Sequence, residues 1–274
     1  MRTTLIRIQR AVTLALACLC IGTAHSQQPS QATVEAQAAR ALATLAQDDA
    51  ILDQNISVIY GRDITAEKRA IAKAQLRWFL RDERVAAYLV RLMLPVASPT
   101  LTPKDAQAFV VEGMASLKAR GLRRLPTERK GQVVQLSLGM FKAIPVGVCK
   151  AMALGKLDTQ TTHLIEARYN ASLPLRSFEA IVALVQDAVE AELAEYPDMK
   201  TTNPTQARAA DRAHALALQS RAERLPAGLL DRTQDLETAE PSEACLLVRE
   251  SLAAGLDLAE PYRGWWLSRL VEAL

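Results

Sequence analysis

Hydrophobic residues recur every three or four positions along most of the chain, the spacing that places them on one face of an α-helix. The clearest example starts near residue 178, where apolar positions follow at helical intervals and polar positions occupy the opposite face. The apolar stripe is Phe178, Ile181, Val182, Val185 and Val189, opposite Glu179, Gln186, Asp187 and Glu190. The chain offers no convincing strand pattern. The sequence therefore predicts an all-α protein.

Proline, glycine and capping residues divide this helical pattern into separate elements. We expect a first helix over residues 33–52 and a loop over residues 55–62. A long helical region then follows, which the residues around Asp82 divide in two. Further helix starts are predicted at Thr65, Pro103, Thr127, Pro145, Asp158, Pro204 and Pro241, and helix ends at Pro95, Gly121, Gly155, Pro197 and Gly255. The prediction is a multi-helix bundle or array.

Two segments about one hundred positions apart share the same order of proline, cysteine and glycine residues. The first contains Arg124-Leu125-Pro126, Pro145, Cys149 and Gly155; the second contains Arg224-Leu225-Pro226, Pro241, Cys245 and Gly255. The interval from proline to glycine is 29 positions in both, 126 to 155 and 226 to 255. We interpret this as two similar helical modules, at residues 63–172 and 173–274, which can pack as one domain. Chance resemblance in an Ala/Leu-rich chain is the alternative.

Residues 1–26 have the pattern of a cleaved signal peptide. Three arginines and no acid precede a fourteen-residue apolar stretch, 11–24, which is shorter than the ~20 residues of a membrane-spanning helix. Small residues precede Gln27, where we expect cleavage; a lipid anchor at Cys18 is the less favoured alternative. Residues 27–62 would then form an N-terminal helix and linker. The predicted location is the periplasm, with secretion as the alternative.

Export changes the charge of the mature chain. The whole chain has 33 Lys+Arg and 30 Asp+Glu, and removing the three signal arginines leaves 30 of each. The bulk charge therefore does not favour nucleic-acid binding. No transmembrane segment is predicted after residue 26. A local basic run at residues 118–130 could nevertheless contact an anionic membrane surface.

Only two cysteines, Cys149 and Cys245, remain after residue 26. An exported protein meets an environment that permits disulfides, and matching positions of two related modules can come together. We therefore consider a Cys149–Cys245 disulfide, with two buried thiols as the alternative.

Candidate chemistry is sparse in this sequence. His163 and Glu166, and likewise Asp211 and His214, are three positions apart, so each pair can share a helix face. Paired units of carboxylate and histidine at this spacing build di-iron sites in helical bundles. Here one unit is reversed and the other uses aspartate. Surface polar pairs are the favoured interpretation, and no metal, cofactor or catalytic residue is predicted.

The favoured binding surface combines aromatic and arginine residues, which are enriched where binding energy concentrates. Its candidates are Tyr262, Arg263, Trp265 and Trp266, together with Arg120, Arg123, Arg124, Arg129 and Lys130. Adjacent tryptophans on a helix cannot share one face, so one of the two is expected inside and the other partly exposed.

The sequence thus favours an exported helical protein with a non-enzymatic, protein-binding role in the cell envelope. It would act as an inhibitor, a neutralising antagonist or an accessory factor, with another protein as its partner. An envelope enzyme built on the His/carboxylate pairs is one alternative. A peripheral protein that binds anionic lipid through residues 118–130 is the other.

Overall fold

The computed structural model describes residues 30–93, 103–199 and 201–272, apart from 222, 224, 227 and 233–235. Within these ranges the chain is entirely helical outside turns and short connections, which confirms the all-α prediction. The helices are α1 (Gln31–Leu45), α2 (Asp49–Ile59), α3 (Ala66–Arg81), α4 (Glu83–Met93), α5 (Pro103–Arg124), α6 (Thr127–Ala143), α7 (Val146–Ala153), α8 (Thr159–Ser172), α9 (Leu175–Leu193), α10 (Pro204–Gln219), α11 (Leu229–Arg232), α12 (Pro241–Leu256) and α13 (Tyr262–Glu272).

Helix α9 organises the N-terminal part of the fold. It packs along α5 and also against α3, so its apolar stripe faces two layers of helices. Phe178 and Val182 join a cluster with α2 and α3, and Val189 joins a second cluster that contains Phe79 and Leu117. Three residues of the stripe predicted from the sequence therefore lie in this core. Ile181 and Val185 are only half-buried, whereas Leu184 and Ala188, outside the stripe, are buried.

The C-terminal part of the fold packs α13 against α6, α10 and α12. Its buried cluster contains Val134, Ala210, Leu258, Trp266 and Leu267. A smaller cluster links the two parts, because Leu184 and Ala188 of α9 share it with Val133 of α6. Contacts therefore run continuously from the first helices to the last.

Several helix starts follow the capping rules. Thr65 accepts the backbone N–H of Lys68 at the start of α3, and Asp158 accepts that of Thr161 at 2.8 Å in α8. Asn203 and Gln206 form a capping box before Pro204. Asp82 separates α3 from α4 as expected. The cap proposed upstream of Pro103 and the end proposed at Pro95 lie outside the described residues.

Other boundaries differ from the sequence prediction. The expected first helix is two helices, because the side chain of Asp48 caps a new helix start after Leu45. The predicted loop at 55–62 is mostly the end of α2. Thr127 is the first residue of α6 rather than its cap, which is Pro126. Local sequence rules miss these boundaries because tertiary packing extends or divides marginal helices.

Gly121 and Gly255, which were predicted to end helices, lie inside helices instead. A side chain at Gly121 would overlap the backbone of Ala188, so this glycine lets α5 and α9 approach closely. A side chain at Gly255 would overlap the ring of Trp266. Gly155, with φ +63°, does end its helix. Helix α9 ends at Leu193, before the predicted stop at Pro197.

The proposed duplication stays a prediction. Helix α5 precedes the first Arg-Leu-Pro unit, and α10 precedes the second. The helix after the first unit, α6, spans 17 residues, whereas its positional counterpart α11 spans 4. The two glycines that motivated the equal spacing also have different roles, since Gly155 ends a helix and Gly255 packs within one.

Candidate functional site

Cys149 and Cys245 form a disulfide between α7 and α12. The Cα atoms of Cys149 and Cys245 are 5.6 Å apart, and neither residue is exposed to solvent. Next to Cys149, the amine of Lys150 donates hydrogen bonds to the carbonyls of Glu237 and Ala239, at 2.7 Å and 2.6 Å. The disulfide and this lysine together fasten the short helix α7 to α12 and to the segment before it.

The aromatic residues that begin α13 point in two directions. Trp266 is 8% exposed and lies on Gly255. The imidazole of His214 stacks on the indole of Trp266, with 5.1 Å between the ring centroids. Tyr262 is 40% exposed, and its ring meets that of Trp265 edge-on at 5.6 Å. One tryptophan is thus buried and the other half-buried. Tyr262 is thus the exposed member of the aromatic pair, and Trp265 also packs against the core.

Two basic residues of the candidate surface pack against neighbouring helices. Arg263 lies against Gly131 of α6, where an added side chain would come within 2.9 Å of its guanidinium. The Nε of Arg263 is buried and has no hydrogen-bond acceptor within the described chain. Lys130 is buried, and its Nζ is 3.1 Å from the hydroxyl of Ser268. Lys130 and Trp266 therefore belong to the interior rather than to an exposed surface.

The remaining basic residues face the acidic side of α9. Arg120 and Arg124 both contact the buried carboxylate of Glu192, at 2.6 Å and 2.7 Å. Arg129 pairs with Asp187. The Nε of Arg123 is buried without an acceptor in the described residues. Much of the basic run is therefore neutralised inside the fold.

The first His/carboxylate pair lies on the surface of α8. His163 and Glu166 are 3.6 Å apart, Nδ1 to Oε2, with side chains 61% and 42% exposed. Their geometry is that of two neighbours on an exposed helix face. No third ligand approaches them, because the described residues contain no group of three His, Cys, Asp or Glu side chains suited to a metal ion.

The second pair is divided between two sets of contacts. Asp211 forms an ion pair with Arg269 of α13. The Nε2 of His214 is 2.9 Å from the backbone oxygen of Ser251 in α12. Asp211 and His214 therefore connect α10 to different neighbours, rather than forming a shared site with His163 and Glu166.

The structure also shows a concave surface that the sequence interpretation did not identify. An open depression of about 510 Å³ lies where α3 ends, and its lining residues are Ala74, Arg77, Trp78, Arg81 and Asp82. A groove of about 690 Å³ runs between α1 and the start of α4 and shares Arg81. The two arginines on either side of Trp78 in the sequence were a usable signal. Trp78 itself is half-buried and also packs against the cluster that contains Phe79.

Electrostatic contacts at the rim of the depression are partly satisfied. Hydrogen bonding from Arg84 lowers the pKa of Asp82 below its ordinary value. Arg77 pairs with Asp49 of α2. Arg81 is exposed and has no hydrogen bond or ion pair within the described chain. The rim therefore offers one unpaired guanidinium next to an aromatic ring.

None of the described helices is long and apolar enough to cross a membrane. No protein-family model matches the sequence, and no curated protein or solved structure is significantly similar to the chain. Any functional assignment has to come from the residues themselves.

Proposed function

We propose that this chain is an exported helical protein with a non-enzymatic, protein-binding role in the cell envelope, as an inhibitor, an antagonist or an accessory factor. The observation that carries the proposal is the aromatic pair at the start of α13. The exposed ring of Tyr262 meets the half-buried ring of Trp265 edge-on, and Arg263, between them in the sequence, packs against α6. Rigid aromatic rings next to arginine are typical of residues that anchor protein–protein contacts.

The surroundings of this pair support its role as an anchor. The hydroxyl of Thr202 approaches the backbone oxygen of Trp265 at 3.5 Å, and the backbone N–H of Gly264 donates to the carboxylate of Glu260. Trp266, one position further, fixes the helix to the core. A partner would therefore meet rings held by a packed helix, which lowers the entropy lost on binding.

The two alternatives have less support. An enzyme built on the His/carboxylate pairs would need side chains that converge, whereas His163 is exposed on α8 and His214 contacts α12. Lipid binding through residues 118–130 would need free positive charge, whereas Arg120, Arg124 and Arg129 contact carboxylates of α9. The aromatic surface is the better basis for a function.

Partner capture tests the binding surface. Immobilised mature protein is exposed to an envelope fraction, and the retained partner is identified and then purified for titration. Tyr262→Ala is expected to weaken binding of that partner by about tenfold or more, the effect of removing an anchoring residue. Leu216→Ala, which removes another exposed apolar side chain (67% exposed), is the matched control and should bind like the unchanged protein. Equal binding by all three proteins would refute the proposed surface.

Export has its own test. Intact mass measurement of the protein from the periplasmic fraction is expected to show a chain that begins at Gln27. Retention of residues 1–26 in a cytoplasmic product would refute the location without bearing on the aromatic surface.

A further inference from the structure

Tyr196 is the most exposed of the large hydrophobic side chains in the described chain, at 75%. It lies three residues after the end of α9, in a turn where Glu195 has φ +51°. This left-handed residue terminates the helix, because the backbone N–H of Tyr196 donates to the oxygen of Ala191 and that of Glu195 to the oxygen of Glu192, both at 3.0 Å. The turn therefore ends α9 and leaves the ring of Tyr196 in solvent.

Arg124 holds this turn in place. Its Nη1 donates hydrogen bonds to the backbone oxygens of Glu195 and Pro197, at 3.0 Å and 3.2 Å. Its Nε donates to the buried carboxylate of Glu192 at 2.7 Å. Tyr196 is thus presented by a braced turn, which reduces the entropy lost when its ring is bound.

Two carboxylates flank the exposed ring. The side chains of Glu195 and Asp198 are exposed, and neither has a hydrogen bond or ion pair within the described residues. Other acids of the same run are already neutralised, since Glu190 pairs with Arg84 and Glu192 with Arg120 and Arg124. The turn therefore projects an aromatic ring bordered by unpaired negative charge.

The depression at the end of α3 has the complementary character. Trp78 supplies an aromatic surface and Arg81 supplies a positive charge that is unpaired within the described chain, whereas Arg77 is already paired with Asp49. The one carboxylate in the lining, Asp82, already binds Arg84. The depression has a volume of about 510 Å³ and is open to solvent, so a ring from another chain can approach it.

The turn and the depression lie at the same end of the bundle. Trp78 packs in the same cluster as Leu193, three residues before Tyr196, and Arg84 at the start of α4 reaches Glu190 of α9 at 2.8 Å. Two complementary features at one end of a molecule can pair reciprocally across a two-fold axis, which closes the assembly at two copies.

We propose that two copies of this chain form a two-fold dimer in which Tyr196 of each enters the depression of the other. The ring would lie on Trp78, with Glu195 and Asp198 on the side of Arg81. This interface involves none of the residues of the aromatic surface on α13. Its success or failure is therefore independent of the proposed function.

Sedimentation of the mature protein over a range of concentrations at low salt is the primary test. The unchanged protein is expected to pass reversibly from monomer to dimer. Tyr196→Ala should weaken the dimer by about 30-fold or more, as truncation of an anchoring residue does. Leu216→Ala, which removes an exposed apolar side chain of α10, should leave dimerisation unchanged. Circular dichroism and thermal unfolding confirm that each variant is folded.

Charge reversal provides a sharper test. Arg81→Glu and Asp198→Arg should each be monomeric, because like charges then meet at both contacts of the dimer. An equimolar mixture of the two variants should form a heterodimer. In one contact the two substituted positions would face each other with opposite charges, and in the other contact the original Arg81 and Asp198 would still meet.

Several outcomes would overturn the proposal. They are a protein that stays monomeric at every concentration, a dimer that Tyr196→Ala leaves intact, and a mixture of the charge variants that remains monomeric.

Discussion

The two parts of this molecule build their interiors in different ways. In the N-terminal part, α9 places a continuous aliphatic stripe between α3 and α5, and helices from residue 49 onwards pack on it. In the C-terminal part, the ring of Trp266 packs against Gly255 and His214. A disulfide joins α7 to α12 in the same part. The first interior depends on a pattern along one helix, and the second on pairs of residues distant in sequence.

This difference suggests where each part is vulnerable. A helix with a broad apolar face can lose one contact and keep many others, because the burial energy is spread over its length. A contact that depends on two residues, such as Trp266 on Gly255, has no other contacts to replace it, because a change in either residue leaves a cavity or a clash. We expect single changes in the C-terminal part to have local and separable effects.

Removing the disulfide is the change with the largest expected effect. Cys149→Ala combined with Cys245→Ala should lower the free energy of unfolding by about 4–5 kcal/mol, because the bond closes a long loop in the unfolded chain. Denaturant unfolding measures this loss. Amide exchange should increase first in α7 and α12, which the bond joins, and least in α3 and α9. Uniform exchange changes in both parts would contradict the proposed separation.

High pH should act on the N-terminal interior through Tyr60. Burial raises the pKa of this phenol to about 12, and its hydroxyl donates to Gln75 at 2.8 Å. Because the folded pKa exceeds the unfolded value near 10, the contribution of Tyr60 to stability is complete below pH 10. It falls by about 1.4 kcal/mol per pH unit as pH rises towards 12.

Unfolding free energies at about pH 9 and about pH 11.5, on either side of the unfolded pKa, measure this dependence, with Tyr60→Phe as the control. The variant cannot ionise at this position, so its stability should fall less between the two pH values. An identical fall in both proteins would show that Tyr60 does not contribute.

A smaller effect is expected at the glycine beneath Trp266. Gly255→Ala should destabilise the C-terminal part by about 1–3 kcal/mol, because the added methyl group overlaps the indole ring. Gly147→Ala in α7 is the matched control, since no atom lies within 4 Å of the position its methyl group would take. Thermal unfolding of the two variants compares them. Equal stabilities would show that α12 and α13 adjust at no cost.

The sequence was informative wherever a rule is local. The stripe on α9 identified the organising helix of the N-terminal part, and the helix starts at Thr65, Asp158 and Pro204 were correctly located. The number of cysteines and the expected export made a disulfide one of two alternatives, and the structure contains the bond. Each of these depends on residues close together in the chain or on composition, which a linear pattern records directly.

The sequence predicted the candidate surfaces only in part. Tyr262 and Trp265 were identified from their side-chain chemistry, but Lys130 was assigned to the same surface although it is buried beside Ser268. The depression at Trp78 and the braced turn at Tyr196 were missed, because their character comes from which neighbours remain unpaired.

By itself, the sequence determined the helical class, the main helix starts and the pair of cysteines able to join, because hydrophobic period and capping chemistry act over a few residues. Tertiary structure alone decided that the basic end of α5 is neutralised by α9, that Gly121 and Gly255 serve close packing, and that His163 and His214 lie apart. These outcomes depend on which helix faces are brought together. That choice is made by the total burial of apolar surface and pairing of charge across the whole chain, which no local pattern encodes.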